Sequence, residues 1–303
     1  MGFGDVRQVA TGSCSDLWFV DTGMYEVIEY GSVYVLDAER PAIVETGIGT
    51  HSDRILDAIE TVGLAPEDIE VIAVTHVHLD HAGGAGFLAE ACPNATIVVQ
   101  EIGAPHLADP ERLWAGTKQA VGEQITHYVE PDPVPDARIR AVEDGDRVDL
   151  GDHSLIAHHA PGHAPHQVVY EDPANDAVFT GDAAGLYVPT RDDVLPTSPP
   201  PDFDLEQALR DVELLQELAP ETLLYSHFGP AMATDQLERY ARTLSDWVQA
   251  VAAARNELED DDAVIEHFAG ETAAGEVWGA EKGRGETAMN VRGVLQYLDY
   301  STR

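Results

Sequence analysis

The chain has 303 residues, 55 acidic against 17 basic side chains, a formal net charge of -38 and a hydrophobic share of 44%. That share supports a sizeable core in one large domain or two ordinary ones, and the acids are scattered among apolar periodic segments instead of forming a tail, so a disordered chain is excluded. Direct binding to DNA, RNA or anionic lipid is excluded as well, because no Lys/Arg cluster is available to neutralise phosphates.

In chain order, period-two apolar runs at 16–23, 24–39 and 41–49 predict the strands of a hairpin or meander. Residues 52–64 predict an amphipathic helix entered from an N-cap at Ser52 or Asp53. A strand over 68–75 leads into the segment THVHLDHAGG, followed by a helix around 84–92 and a strand over 95–100. A second, similar series follows: strand-like runs at 154–163, 166–172 and 177–182, a helix over 204–220, then strand and loop over 221–229. Strand groups alternating with helices favour a layered α/β architecture, and the recurrence of strand followed by a polar His or Asp turn hints at two related halves. The proline-rich stretch 194–204 reads as a rigid spacer. From 234 onward the pattern is helical, which divides the chain into a layered domain over 1–231 and a mostly helical cap over 232–303 packed on it.

Lys118 and Lys282 are the only lysines. So acidic and lysine-poor a surface repels itself and needs salt to screen it, and it reads as that of a halophile's cytosolic protein. Cys14 and Cys92 are too few for a disulfide framework, so reduced thiols are expected. No apolar run approaches the roughly 18–20 residues of a membrane span, and MGFGDVRQVA lacks the basic start and apolar centre of a signal peptide. The expectation is a cytoplasmic protein with a small-molecule partner, neither nucleic acid nor membrane, with a homodimer left open.

The segment THVHLDHAGG sets His76, His78, Asp80 and His81 where the chain leaves a strand, so one tight turn aims all four into a shared space. Neutral imidazoles and a carboxylate suit Zn, Fe, Mn or Co, provided each ligating histidine has its other nitrogen satisfied. Gly83 and Gly84 let backbone pass close by without a Cβ. Left unpaired in the interior, each such polar group costs on the order of 1–3 kcal/mol, so a metal is the economical explanation. A catalytic site keeps a position open for water, and a second ion needs further ligands. His163, Asp182 and His227 each stand at the end of an apolar strand and are the candidates.

Taken in order, THVHLDHAGG, PGH, TGD and SHFG resemble the signature of the metallo-β-lactamase superfamily over about the first 230 positions. The resemblance implies a four-layer αββα sandwich, an α/β fold with the metals at one edge between two sheets, and here a C-terminal helical extension. It assigns His76, His78 and His163 to a first metal, Asp80, His81 and His227 to a second, and Asp182 as the bridge. Two divalent ions are implied, zinc first, with Mn, Fe or Co as the other candidates. The complete set looks like the glyoxalase II and lactonase branches. Strict β-lactamases of the superfamily usually lack the histidine after the aspartate, and the RNA-processing branches are disfavoured by charge. Flavodiiron proteins carry a glutamate where His78 stands.

The implied reaction is hydrolysis of a small-molecule thioester, ester or lactone by a metal-bridging hydroxide. Asp80 then orients the nucleophile or takes its proton, and Tyr187 reaches the oxyanion as a tyrosine does in lactonases. Two alternatives stand beside it: a mononuclear iron persulfide dioxygenase, and a non-catalytic scaffold that binds through its acidic face. Lys282, Arg284 and Arg292 are a thin match to the basic residues by which glyoxalase II enzymes hold glutathione. His158 and His159 adjoin on a strand and face opposite ways, so at most one approaches the site. His166 reads as a neighbour of the ligands or part of the substrate rim. Thr75 and Glu45 are candidate hydrogen-bond partners of ligands, with Glu45 standing where family members often have Asp. His51, His106, His127, His153 and His267 lack motif context and read as surface or core.

Overall fold

A computed structural model describes residues 1–270 and 272–301. Its first sheet runs, in spatial order, β1 (Val6–Gln8), β2 (Leu17–Asp21), β3 (Ser32–Leu36), β4 (Ala42–Val44), β5 (Val71–Ala73), β6 (Thr96–Gln100) and β7 (Ile139–Val142). The first four strands pair antiparallel through short connections, and β4 to β7 pair in parallel. Parallel neighbours need crossovers. These are α1 (Ser52–Val62) before β5, then α2 (Leu79–Ala82) and α3 (Ala85–Ala91) before β6, then α4 (Ala104–Ala108) and α5 (Glu111–Val121) before β7.

The second sheet is built from β8 (Arg147–Asp149), β9 (Ser154–His159), β10 (Val168–Asp172) and β11 (Ala177–Gly181), with a small hairpin of β12 (Leu186–Val188) and β13 (Asp193–Leu195) beside it. After α6 (Leu205–Leu218), β14 (Thr222–Tyr225) pairs parallel to β11, and β15 (Gly229–Met232) closes the edge. The C-terminal helices are α7 (Gln236–Leu258), α8 (Asp261–Gly270), α9 (Ala274–Trp278) and α10 (Ala280–Ser301).

Side-chain alternation builds the layers. On β3, Tyr34 and Leu36 enter the core between the sheets, where they meet Leu155, Tyr170, Phe179 and Leu224 from the second sheet. Val33 and Val35 point the other way, onto Ile55, Ile59 and Leu88 of α1 and α3. On the far side, Val169, Val178 and Leu223 pack against Val212 and Leu215 of α6, Leu244 and Val248 of α7, and Val291 and Val294 of α10. Helices outside, two sheets inside, is the four-layer αββα sandwich, with the helical extension continuing the outer layer. Each fully buried aliphatic or aromatic side chain in these layers contributes about 1.5–3 kcal/mol.

Three local expectations are corrected. Residues 24–31 do not extend the strand; Tyr25, Glu26 and Glu29 take positive φ, and the strand is confined to Ser32–Leu36. Met24, Tyr25 and Tyr30 are buried in a different way, packed beside Leu186 and Trp278, while Ile28 is exposed. Helix α1 has His51 as its N-cap residue, at φ 67, in place of Ser52 or Asp53. The Ser52 hydroxyl instead donates to the Gly49 carbonyl at 2.7 Å. Finally, α4 and α5 fill a stretch with no element assigned from sequence, and α5 becomes a wall of the site. No described helix is long and apolar enough to cross a membrane.

Candidate metal centre

Strand direction gathers the site. Because β9 and β11 are both antiparallel to β10, and β14 is parallel to β11, strands β9, β11 and β14 run the same way and end at one edge. His163, Asp182 and His227 follow those three ends. In the facing sheet, β5 ends at the same rim, where the Val168 N–H donates to the Thr75 carbonyl at 2.9 Å and ties the sheets together. His76 and His78 follow directly, and Asp80 and His81 sit on the single turn of α2.

Tight backbone contacts fix the turns. A Cβ on Gly84 would stand 2.3 Å from the Thr46 carbonyl, and one on Gly162 would stand 2.2 Å from the Ala208 nitrogen. Only glycine lets these loops seat so closely. The Gly162 N–H donates to buried Asp211 of α6 at 2.6 Å, which anchors the loop bearing His163. Gln167 links the neighbouring turns, donating to the Ala160 carbonyl at 3.1 Å and accepting from the Asp182 N–H at 3.2 Å.

All seven side chains named as ligands from sequence come together. His78 Nδ1 lies 3.1 Å from both His76 Nε2 and His163 Nε2. Those three form one group able to hold an ion; Asp80, His81 and His227 form another; and His76, His81 and Asp182 join them. The two oxygens of Asp182 divide between the halves. Oδ2 faces His163 Nε2 at 3.3 Å, while Oδ1 faces His81 Nε2 at 3.4 Å and His227 Nε2 at 3.7 Å. Oδ1 is buried and has no hydrogen-bond partner.

Electrostatics divide the halves too. Burial, reinforced by the neighbouring rings, holds His76 and His163 well below the usual histidine range. Burial likewise lowers His78 to about 4. Three imidazoles with lowered pKa thus turn nitrogens toward a common point. For His81, burial alone would lower the pKa, but Asp182, Glu45 and Asp80 outweigh it and raise it to about 10. Burial also opposes ionisation of Asp80, yet His81, His227, His78 and Lys282 hold its carboxyl below the ordinary range. Burial raises Asp182 in spite of the nearby rings. Converging imidazole nitrogens and a buried carboxylate oxygen without a hydrogen bond are the donor set a divalent cation satisfies.

Around this set lie the groups that aim it. Glu45, at φ 72, accepts from the Thr75 hydroxyl at 2.5 Å and from the Ser226 hydroxyl at 2.8 Å, and its Oε1 lies 3.2 Å from His81 Nδ1. His227 Nδ1 donates to the Tyr30 carbonyl at 2.9 Å. The Tyr30 hydroxyl donates to Glu286 at 2.9 Å, and Glu286 is paired with Lys282 at 2.8 Å. The Lys282 ammonium stands over the rings of Tyr25 and Tyr30, 3.7 Å and 4.2 Å from their centres. This chain of contacts from α10 to His227 was missed in the sequence. Its one advance sign was a lysine in a nearly lysine-free chain, four residues before a glutamate.

Beside the ligands lies a cleft of about 370 Å³, lined on its apolar side by Tyr25, Tyr30, Tyr128, Leu113 and Leu186. His166 and His106 also line it, although His106 has no motif around it. Tyr187 does not reach the cleft. On β12 it alternates with Leu186, so its ring turns away from the cleft into the core under the outer helices, stacks 5.2 Å from Tyr225, and gives its hydroxyl to Asp192 at 3.1 Å. The expectation that Tyr187 meets a substrate oxyanion is therefore corrected: strand alternation points it away. The phenols in the cleft are Tyr25, Tyr30 and Tyr128, from two loops read only as strand or left unread. His158 pairs with Glu171 at 2.8 Å, while His159 Nε2 donates to the Pro165 carbonyl at 2.9 Å in the His163 loop. His153 is buried against Asp172 at 3.0 Å. Arg284 pairs with Glu266 and does not line the cleft.

Comparison with known proteins bears on this geometry. An acyl-coenzyme A thioesterase from Gallus gallus is 27% identical over 77% of this chain and 84% of its own length. An N-acyl homoserine lactonase from a Bacillus species is 27% identical over 59% of this chain and 63% of its own length. Among solved structures, an archaeal metallo-beta-lactamase superfamily protein from Sulfolobus tokodaii superposes with a TM-score of 0.71 at 22% identity, covering 93% of this chain and 99% of its own. The family model described as metallo-beta-lactamase superfamily matches residues 28–227, which contain every one of the seven converging side chains. The chain belongs to the metallo-beta-lactamase superfamily and is a metal-dependent hydrolase.

Proposed function

We propose that the protein is a dinuclear hydrolase of a small-molecule thioester, ester or lactone. The observation that carries this reading is the placement of Asp182, whose two oxygens face two separate ligand groups. His76, His78 and His163 would hold one ion, and Asp80, His81 and His227 the other, with Asp182 shared. Bound ions of this kind supply Lewis acidity toward a carbonyl oxygen and a water acidic enough to attack at neutral pH. Everything else falls to the chain. Asp80, held ionised by its neighbours, accepts the proton of the attacking water and orients it. The apolar wall of Tyr25, Leu113, Tyr128 and Leu186 holds the acyl part of the substrate and limits access of bulk water.

Zinc suits the histidine-rich donor set best, with Mn, Fe or Co behind it. The reading assigns the chemistry to residues 1–231 and a covering role to 232–303. It also takes the protein as cytoplasmic and from a halophile, on the strength of an acidic surface with two lysines.

The test is metal analysis of protein purified in molar KCl, together with a small panel of thioesters, lactones and phosphodiesters. Two Zn, Mn or Co per chain with thioester or lactone cleavage is the expected result. One iron per chain with oxygen consumption would replace this reading with a persulfide dioxygenase.

A further inference from the structure

A second cavity, of about 320 Å³, lies between the β12–β13 hairpin and the C-terminal helices. Its walls are apolar and aromatic, with Leu195, Pro196, Trp247, Phe268 and Trp278 the main contributors. Leu186 and Glu286 line both this cavity and the metal-side cleft, so they form the partition between the two.

The polar groups on its walls are almost all engaged. Trp247 Nε1 donates to the Ser198 hydroxyl at 3.0 Å, and the hydroxyls of Thr272 and Thr287 bond each other at 2.6 Å. Glu286 accepts from Lys282, Tyr30 and Asn290, and the Asn290 side-chain oxygen accepts from the Ser198 N–H at 2.6 Å. His267 stands at the exposed rim. The exception is Trp278. Its residue is only 6% exposed, and its indole N–H is buried without a hydrogen-bond partner. A buried donor left unpaired costs on the order of 1–3 kcal/mol, and an acceptor on a bound molecule would recover it.

We propose that this cavity is a binding site for a neutral ligand with an apolar or aromatic body and one hydrogen-bond acceptor, held by Trp278 Nε1–H. Anions are disfavoured, because Glu286 faces the cavity and no Lys or Arg is among the described residues that line it. Two sources share this chemistry: a separate small molecule, or the far end of a substrate seated in the metal-side cleft. Occupancy would bear on the metal side through Trp278, whose ring packs 5.0 Å from Tyr30, the residue whose carbonyl holds His227.

Acetophenone is the probe, with benzoate as its anionic counterpart, and the first readout is saturation-transfer NMR on metal-free full-length protein in molar KCl. Acetophenone is expected to bind saturably and benzoate at least about tenfold more weakly. Trp278→Phe, which keeps an aromatic ring and removes the donor, should weaken acetophenone by about tenfold, the scale of one neutral hydrogen bond. If that variant fails to fold, Ala274→Leu narrows the same cavity with the indole intact and should weaken acetophenone likewise. Absence of saturable binding, equal binding of benzoate, or binding unaltered in whichever variant folds overturns the proposal. In zinc-loaded protein, competitive inhibition of thioester cleavage by acetophenone identifies the cavity as the far end of the substrate site. Noncompetitive inhibition identifies a separate ligand. Because binding is measured without metal, loss of the hydrolase reading would leave this test standing.

Discussion

The two halves of the candidate metal centre are built on opposite electrostatic plans. His76, His78 and His163 are neutral, burial-lowered imidazoles with little around them: His76 Nδ1 meets the Thr75 hydroxyl at 3.1 Å, and His163 Nδ1 is buried with no hydrogen-bond partner. Asp80, His81 and His227 sit among carboxylates and are braced by Glu45, Tyr30 and, through Tyr30, by Glu286 and Lys282. The low pKa values of the first group suit it to a cation at neutral pH. In the second, with its pKa raised to about 10, His81 is the group whose proton a bound cation would displace.

The strongest way to break this division is to remove the residue common to both halves. On the proposed dinuclear reading, Asp182→Ala should bring metal content below two ions per chain and lower turnover by more than the roughly 10–100-fold that loss of an outer partner costs. Circular dichroism should show the fold intact, and full activity would sink the bridging role. Next in size, Glu45→Gln strips the anion that steadies His81. Metal affinity in the second half should fall about 10–100-fold while the first half keeps its ion, as read by the absorption bands of cobalt-substituted protein.

A pH series separates the halves without mutation. With His81 raised from 6.5 to about 10, uptake in the second half at pH 7–8 should release about one proton, and apparent affinity should rise about tenfold per pH unit. Calorimetry in buffers of different ionisation enthalpy measures this. In metal-free protein the same shift has a defined sign. Protonated His81 stabilises the fold fully below pH 6.5, and that contribution fades as pH rises toward 10. His78, lowered from 6.5 to about 4, acts in the opposite sense and weakens the metal-free fold as pH falls through that interval. Thermal midpoints across pH test both limbs. The smallest effect is expected from Tyr30→Phe, which cuts the link to Glu286 but keeps the carbonyl that holds His227. Affinity in the second half should change only a few-fold, the scale of one hydrogen bond, and a larger loss would show that α10 braces the ligand more firmly than this geometry implies.

The candidate ligands were readable because they follow strand ends, where apolar periodicity stops and a polar residue has no core reason to stand. Glu45 was readable only as a candidate, since its three partners at Thr75, His81 and Ser226 come from two sheets. Tyr187 was misplaced because five residues of spacing after Asp182 say nothing about which face of a short strand a ring takes. Its neighbour Leu186 faces the cleft instead. The first part of the strand expected over 24–39 failed because Tyr25, Val27 and Tyr30 fit a pleated surface and an aromatic cluster equally well, and here the cluster with Trp278 prevails.

By itself the sequence determined the layered α/β class, the helical C-terminal region and the identity of the seven converging side chains. All of these are written in local periodicity and in polar residues at strand ends, and such signals survive without knowledge of distant partners. Only the tertiary structure decided which phenols face the cleft, that Lys282 and Glu286 brace His227 from α10, and that a second cavity borders the first. Each of these depends on contacts between segments one hundred or more residues apart, such as Tyr30 with Glu286. Such pairings are set by how helices and sheets pack, a matter of shape and burial that no short window of sequence encodes.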